Sequence, residues 1–153
     1  MIKKLPVLVC TIIFFISGCG YKPIYRANNL DNFKFSEINL NENKKINQEI
    51  LDFLSLEEAK GDNDYPILFI TSNYTTDETS KDSKGQVTTY RSTINVTLDI
   101  INSKSQKITR NFNKTTSYNN QNSKFKLTKN QIQIRSNLIK SISEEIFRFL
   151  NIR

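Results

Sequence analysis

The tightest constraint on the fold lies between Ile94 and Ile100. There Ile94, Val96, Leu98 and Ile100 alternate with Asn95, Thr97 and Asp99. A strict period of two places successive side chains on opposite faces of a strand. Any fold containing this strand must bury one face of its sheet and leave the other wet. An all-helical bundle is excluded, and so is a parallel sheet buried on both sides.

The flanking segments supply the rest of the core. Phe33-Lys34-Phe35-Ser36 alternates over a short first strand. Ile46, Ile50, Phe53 and Leu54 follow the i, i+4, i+7, i+8 spacing of an amphipathic helix,. That helix is expected to end near Gly61, where Lys60-Gly61-Asp62-Asn63 reads as a terminator and turn,. Tyr65–Ile70 reads as a second strand, its unbroken apolar run Ile67–Ile70 marking it as central or covered on both faces,. Thr71–Gln86 is polar and reads as a connection turning at Lys84-Gly85,.

After the alternating strand, Asn102–Gln106 is a turn and Lys107–Tyr118 a fourth strand carrying Ile108 and Phe112. A polar segment, Asn119–Lys126, leads to a last helix, with Thr128 and Gln131 spaced as a capping box,. Leu138, Ile139, Ile142, Ile146, Phe149 and Leu150 form its apolar stripe. The order strand, helix, strand, strand, strand, helix predicts an α+β fold. The expected form is a two-layer sandwich, with a mixed four-stranded sheet and both helices packed on one face. The first strand–helix–strand unit predicts a parallel pair, and the later strands join by hairpins. Residues 33–153 make this single domain.

The N-terminus sets the compartment. Lys3 and Lys4 precede an apolar stretch, Leu5–Ile16, broken only by Pro6 and Thr11. As a helix it would be about 18 Å long, too short for a bilayer core of about 30 Å. The length suits the apolar region of a signal peptide. It ends in Ile16-Ser17-Gly18-Cys19, which resembles a bacterial lipobox, whose cysteine is acylated and becomes the first mature residue. Residues 1–18 are then the signal peptide and 19–32 a lipidated tether. Of the two cysteines, Cys10 would leave with the signal and Cys19 would carry the lipid. A lone periplasmic thiol is thereby removed. Gly20 is not the Asp that commonly retains lipoproteins in the inner membrane, so the expected destination is the outer membrane, on its periplasmic side.

Composition narrows the chemistry. The chain has no His, which excludes a Ser-His-Asp triad, a Cys-His pair and imidazole metal ligation. Four scattered Gly cannot form a phosphate loop,. No catalytic residue, metal ligand or cofactor is assigned. The net charge of +7 is uneven: residues 101–153 carry +9 and residues 19–100 carry −4. Basic patches often meet nucleic acid. An exported lipoprotein does not, and the anionic partners at an outer membrane are phosphorylated lipids.

Several segments together resemble the LPS-assembly lipoproteins, the LptE-like family. The lipobox runs into Cys19-Gly20-Tyr21-Lys22-Pro23-Ile24-Tyr25, similar to the Cys-Gly-aromatic start of that family. Gly85-Gln86-Val87-Thr88-Thr89-Tyr90 before the alternating strand looks like its central hairpin, and Thr116-Ser117-Tyr118-Asn119 like its fourth-strand exit. The resemblance implies a plug inside the LptD-type outer-membrane β-barrel, one that aids barrel assembly and delivers lipopolysaccharide to the outer leaflet. It also implies lipopolysaccharide binding by basic residues near the sheet tips and the start of the last helix. Here those positions are Lys81, Lys84, Lys124 and Lys126.

Two other classes compete. A structural or tethering lipoprotein serving another assembly machine would share the anchor and fold and differ in partner. A His-independent periplasmic hydrolase would need carboxylate pairs such as Asp62 with Asp64 or Glu57 with Glu58,. Neither pair lies near a recognisable nucleophile, and solvation of a loop or helix surface accounts for both.

Overall fold

The computed structural model describes residues 34–59 and 64–151. The signal peptide, Cys19, the tether and the turn at Gly61 lie outside the described residues. The elements are β1 (Glu37–Glu42), α1 (Lys44–Leu54), β2 (Ile67–Lys81), β3 (Val87–Ile101), β4 (Lys107–Asn119) and α2 (Lys124–Asn151). The four strands form one sheet in the order β1-β2-β3-β4. β1 and β2 are parallel, joined through α1, and the other pairs are antiparallel. This is the expected α+β architecture, a mixed sheet with two helices.

The alternation in β3 builds the core as read. Ile94, Val96, Leu98 and Ile100 are buried, together with Leu68 and Ile70 of β2 and Phe112 of β4. Cross-strand register places these side chains on one face. The helices pack on that face, α1 over β1 and β2 and α2 over β3 and β4. Ile46, Ile50 and Leu54 of α1 and Leu138, Ile142, Ile146 and Leu150 of α2 complete the cluster.

Five local readings need correction. The first strand is Glu37–Glu42 rather than Phe33–Ser36. Phe35 forms only an isolated bridge with Glu58, yet it is fully buried and so anchors the chain entering β1. In α1, Phe53 stands at the exposed rim, and Asn47 and Leu51 are buried instead. At about 100° per residue, Asn47 and Leu51 continue the arc begun by Ile46, Ile50 and Leu54, and Phe53 falls outside it.

α1 also ends well before Gly61. Ser55 takes a left-handed conformation (φ 52°) and Leu56 N–H closes on the Leu51 carbonyl at 3.3 Å,. The helix starts at Asn43, whose side chain accepts from Ile46 N–H at 3.2 Å,. Thr71–Lys81 is not a connection but the second half of β2. The turn expected at Lys84-Gly85 is present within Asp82–Gln86, where Gly85 has φ 79° and Asp82 Oδ1 accepts from the N–H groups of Lys84 and Gln86. Finally, α2 begins at Lys124, with the Ser123 carbonyl accepting from Leu127 N–H, so Thr128 and Gln131 lie inside the helix and form no cap.

Candidate functional site

The chain enters β1 beside Ile67 and the Asn102–Gln106 turn, which define the proximal end of the sheet. The Asp82–Gln86 turn lies at the distal end. β1 pairs only with Ile67–Ser72, and α1 runs back from its end. The distal half of the sheet is therefore covered by α2 alone.

Three features follow from that incomplete cover. The first is the uncovered face. Thr71, Thr97 and Asn111 form one rank across the strands, Asn73, Asn95 and Asn113 the next, and Thr75, Thr93 and Thr115 a third. Ranks repeat about every 6.7 Å along the strands, with about 4.8 Å between strands. Cross-strand bonds hold the side chains in place: Thr97 Oγ1 donates to Asn111 Oδ1 at 2.8 Å, and Asn113 Nδ2 donates to Asn95 Oδ1 at 2.5 Å. The Thr93 and Thr115 hydroxyls share a further bond. No charge interrupts this lattice. At its proximal margin Asp99 accepts from the Thr109 hydroxyl and pairs with Lys107 at 3.0 Å. The Thr109 bond, helped by Lys107 against a small desolvation penalty, holds the Asp99 carboxyl below the usual range,.

The second feature is a polar hub under the start of α2. Ser92 is fully buried. Its hydroxyl accepts from Tyr74 OH at 2.9 Å, shares a 2.9 Å bond with Thr76, and reaches Tyr118 OH at 3.4 Å. Gln131 Nε2 donates to the same Tyr118 hydroxyl at 3.2 Å, and the rings of Tyr90 and Tyr118 stack at 5.7 Å. The core thus changes from aliphatic to hydroxyl-rich beyond Ile94. Beside the hub is a notch of about 240 Å³ between β2 and α2, lined by Tyr74, Thr76, Thr128, Gln131, Ile132 and Arg135. Ile132 is 63% exposed, and Arg135 is held by Glu49 of α1.

The third feature is the distal end itself. Lys81 closes β2 and pairs with Glu78 at 3.3 Å, and Lys84 sits in the Asp82–Gln86 turn. Asn120 ties the end of β4 to this hairpin, its N–H donating to the Thr88 carbonyl and its side chain to Val87. α2 starts four residues later, so Lys124 and Lys126 stand in its first turn at the same end of the sheet. Lys126 also borders a polar depression of about 360 Å³ lined by Asn120–Ser123. The four lysines named from the sequence therefore share one end of the molecule, and all four are exposed.

The carboxylates behave differently. Glu58 Oε1 accepts from Ile38 N–H at 2.9 Å, which makes it a strut for β1, and Asp62 lies outside the described residues. Among the described residues no cluster of three potential metal ligands occurs, and no helix is long and apolar enough to cross a membrane. The hub and notch were not foreseen. The signal was present in Tyr74, Thr76 and Ser92, which keep the period-two alternation past the last aliphatic residue.

No family model and no curated protein matches the chain. Solved structures do match. Rare lipoprotein B from Shewanella oneidensis superposes with a TM-score of 0.59 at 12% identity, over 75% of this chain and 93% of that one. A minor lipoprotein from Acinetobacter baumannii gives 0.56 at 18% identity, over 76% and 88%. Lipoprotein B from Nitrosomonas europaea gives 0.55 at 10% identity, over 74% and 81%. The chain shares the fold of these bacterial lipoproteins. At such identities the likeness concerns the fold alone.

Proposed function

We propose that the protein is an outer-membrane lipoprotein, anchored through acylated Cys19, that plugs an LptD-type β-barrel and assists lipopolysaccharide delivery. The observation that carries this reading is the uncharged Thr/Asn lattice on the uncovered sheet face. A wide outer-membrane barrel has a polar interior. Hydroxyls and amides fixed at regular spacing can exchange hydrogen bonds with such a wall, and no desolvated charge is stranded there. The lipobox and the fold shared with solved lipoproteins support the same reading.

The placement of the lysines adds direction. A lipid on Cys19 would hold the proximal end, where the chain enters β1. The 15 residues of β2 then carry Lys81 and Lys84 about 50 Å away,. Exposed ammonium groups at that end suit the phosphates of lipopolysaccharide through charge-assisted hydrogen bonds. A photo-crosslinking residue placed at Asn95, the centre of the lattice, should capture an outer-membrane barrel protein in cells. Capture of no barrel from that position would count against the plug and favour a tethering lipoprotein.

A further inference from the structure

The two outer edges of the sheet are protected to different degrees. Beyond β1, the free edge of β2 carries Asp77 and Glu78, and its pairing with β3 is irregular between Glu78 and Lys81. Charges and bulges of this kind blunt an edge against strand addition. β4 has neither a bulge nor a proline: its pairing with β3 is regular from Lys107 to Asn119 over all 13 residues. Its cations are also turned back onto their own chain. Lys107 pairs with Asp99 at 3.0 Å, Lys114 with Glu145 at 2.7 Å, and Arg110 lies 5.8 Å above the Phe149 ring.

The backbone direction of this edge can be read from its two ends. Asn102 N–H donates to the Gln106 carbonyl at 3.1 Å, and Asn120 N–H to the Thr88 carbonyl at 2.8 Å. Even-numbered residues therefore face β3, and the odd-numbered residues from Lys107 to Asn119 aim N–H and C=O outward.

We infer that β4 is a dimerisation strand, pairing antiparallel with β4 of a second copy about a two-fold axis at Asn113. In that register all 13 residues find a partner. Lys107 meets Asn119, Arg110 meets Thr116, and Lys114 meets Phe112, so no like charges are opposed. A shift of the axis to Phe112 sets Arg110 against Lys114, and a shift to Lys114 sets that residue against itself. Like charges directly opposite destabilise a strand pair, so the charge pattern disfavours both adjacent registers, and axes at Asn111 or Thr115 pair fewer of the 13 residues. On the uncovered face, Thr109 meets Ser117 and Asn111 meets Thr115, which extends the Thr/Asn lattice across the axis. The contact is isologous and closes at two copies. It is independent of the barrel reading and describes the chain when no barrel holds it.

Native mass spectrometry of the full chain released from detergent should show a dimer. The double variant Asn113→Pro/Thr115→Pro removes outward N–H groups, together with the side-chain bonds to Asn95 and Thr93 on the uncovered face, and spares the backbone ladder to β3,. It loses four bonds across the dimer and should weaken association at least about thirtyfold, with unchanged circular dichroism. Thr76→Pro on the opposite edge should leave the dimer intact. A photo-crosslinker at position 113 should join two copies. A wild-type chain that stays monomeric, a dimer that survives the double proline variant, or a position-113 crosslinker that joins no two copies of the purified, barrel-free chain overturns the inference.

Discussion

Asn47 is the residue through which the crossover is held together, and its replacement should be costly in a distinctive way. It is fully buried between α1 and the sheet. Its Nδ2 donates to the Asn41 carbonyl at 2.7 Å and to the Ile70 carbonyl at 3.1 Å, so one amide ties α1 to both β1 and β2. Its Oδ1 has no hydrogen-bond partner among the described residues. Asn47→Ala removes two buried hydrogen bonds that tie α1 to β1 and β2 and opens a small void. Together these should cost about 2–5 kcal/mol, a large share of the roughly 5–15 kcal/mol that holds a domain folded.

Asn47→Asp should show the opposite pH dependence from an ordinary carboxylate. The new carboxyl would face two carbonyl oxygens and would have to be protonated to donate to either. Burial without a donor raises its folded pKa above the unfolded value of about 3.9. Stability is then fully present below about pH 4 and falls as pH rises toward the folded pKa. Urea unfolding of the detergent-solubilised chain, followed by far-UV circular dichroism at pH 4 and pH 7, reads this directly. An Asn47→Ala variant within about 0.5 kcal/mol of wild type would refute the role assigned to this amide. So would an Asn47→Asp variant as stable at pH 7 as at pH 4.

Three further predictions concern other parts of the molecule. Asp99 has a depressed folded pKa, so the stability it contributes is present above about pH 4 and lost as pH falls through the folded value,. Asp99→Asn should therefore flatten the acid limb of a stability–pH curve, and an unchanged limb would remove Asp99 from the account. Cys19→Ser should yield an unprocessed, unlipidated product by mass spectrometry; a normally acylated protein would sink the lipobox assignment. Charge reversal at Lys81, Lys84, Lys124 and Lys126 together should weaken lipopolysaccharide binding, with the difference shrinking as salt is raised. Equal binding by the reversed protein would take these residues out of the site.

How much of this could be read in advance varied with the physics of each segment. The aliphatic alternation of β3 and the stripe of α2, Phe149 half-buried, form the core as their spacing predicts, because burial itself selects those residues. The run Ile67–Ile70 lies on a central strand, but only Leu68 and Ile70 are buried, while Ile67 and Phe69 are half-buried on the uncovered face. β1 was displaced because Glu37–Glu42 offers only Ile38 and Leu40, both half-buried at an edge. The distal half of β2 was hidden for a related reason. Thr71–Lys81 has a wet face on one side, and on the other Ser72, which bonds the Asn43 carbonyl, followed by Tyr74 and Thr76 of the polar hub. A strand with little aliphatic burial resembles a loop in composition.

The helix ends show the same competition. Thr128 and Gln131 have capping-box spacing, but their side chains line the notch, where Gln131 serves the Tyr118 hydroxyl. At Ser55 a non-glycine residue takes the left-handed cap that was expected of Gly61. The lysines were named by resemblance, and it is the fold that shows them sharing one end of the sheet. No spacing rule joins Lys84 to Lys124 across 40 positions, whereas the Asn120 bonds to Val87 and Thr88 bring those segments together.

The central claim concerns a partner, and a mild-detergent pull-down of tagged protein from outer membranes tests it most directly. The account predicts that a large β-barrel protein co-purifies at close to one-to-one stoichiometry. Recovery of the lipoprotein without any barrel would contradict it, leaving a tethering lipoprotein that shares only the fold.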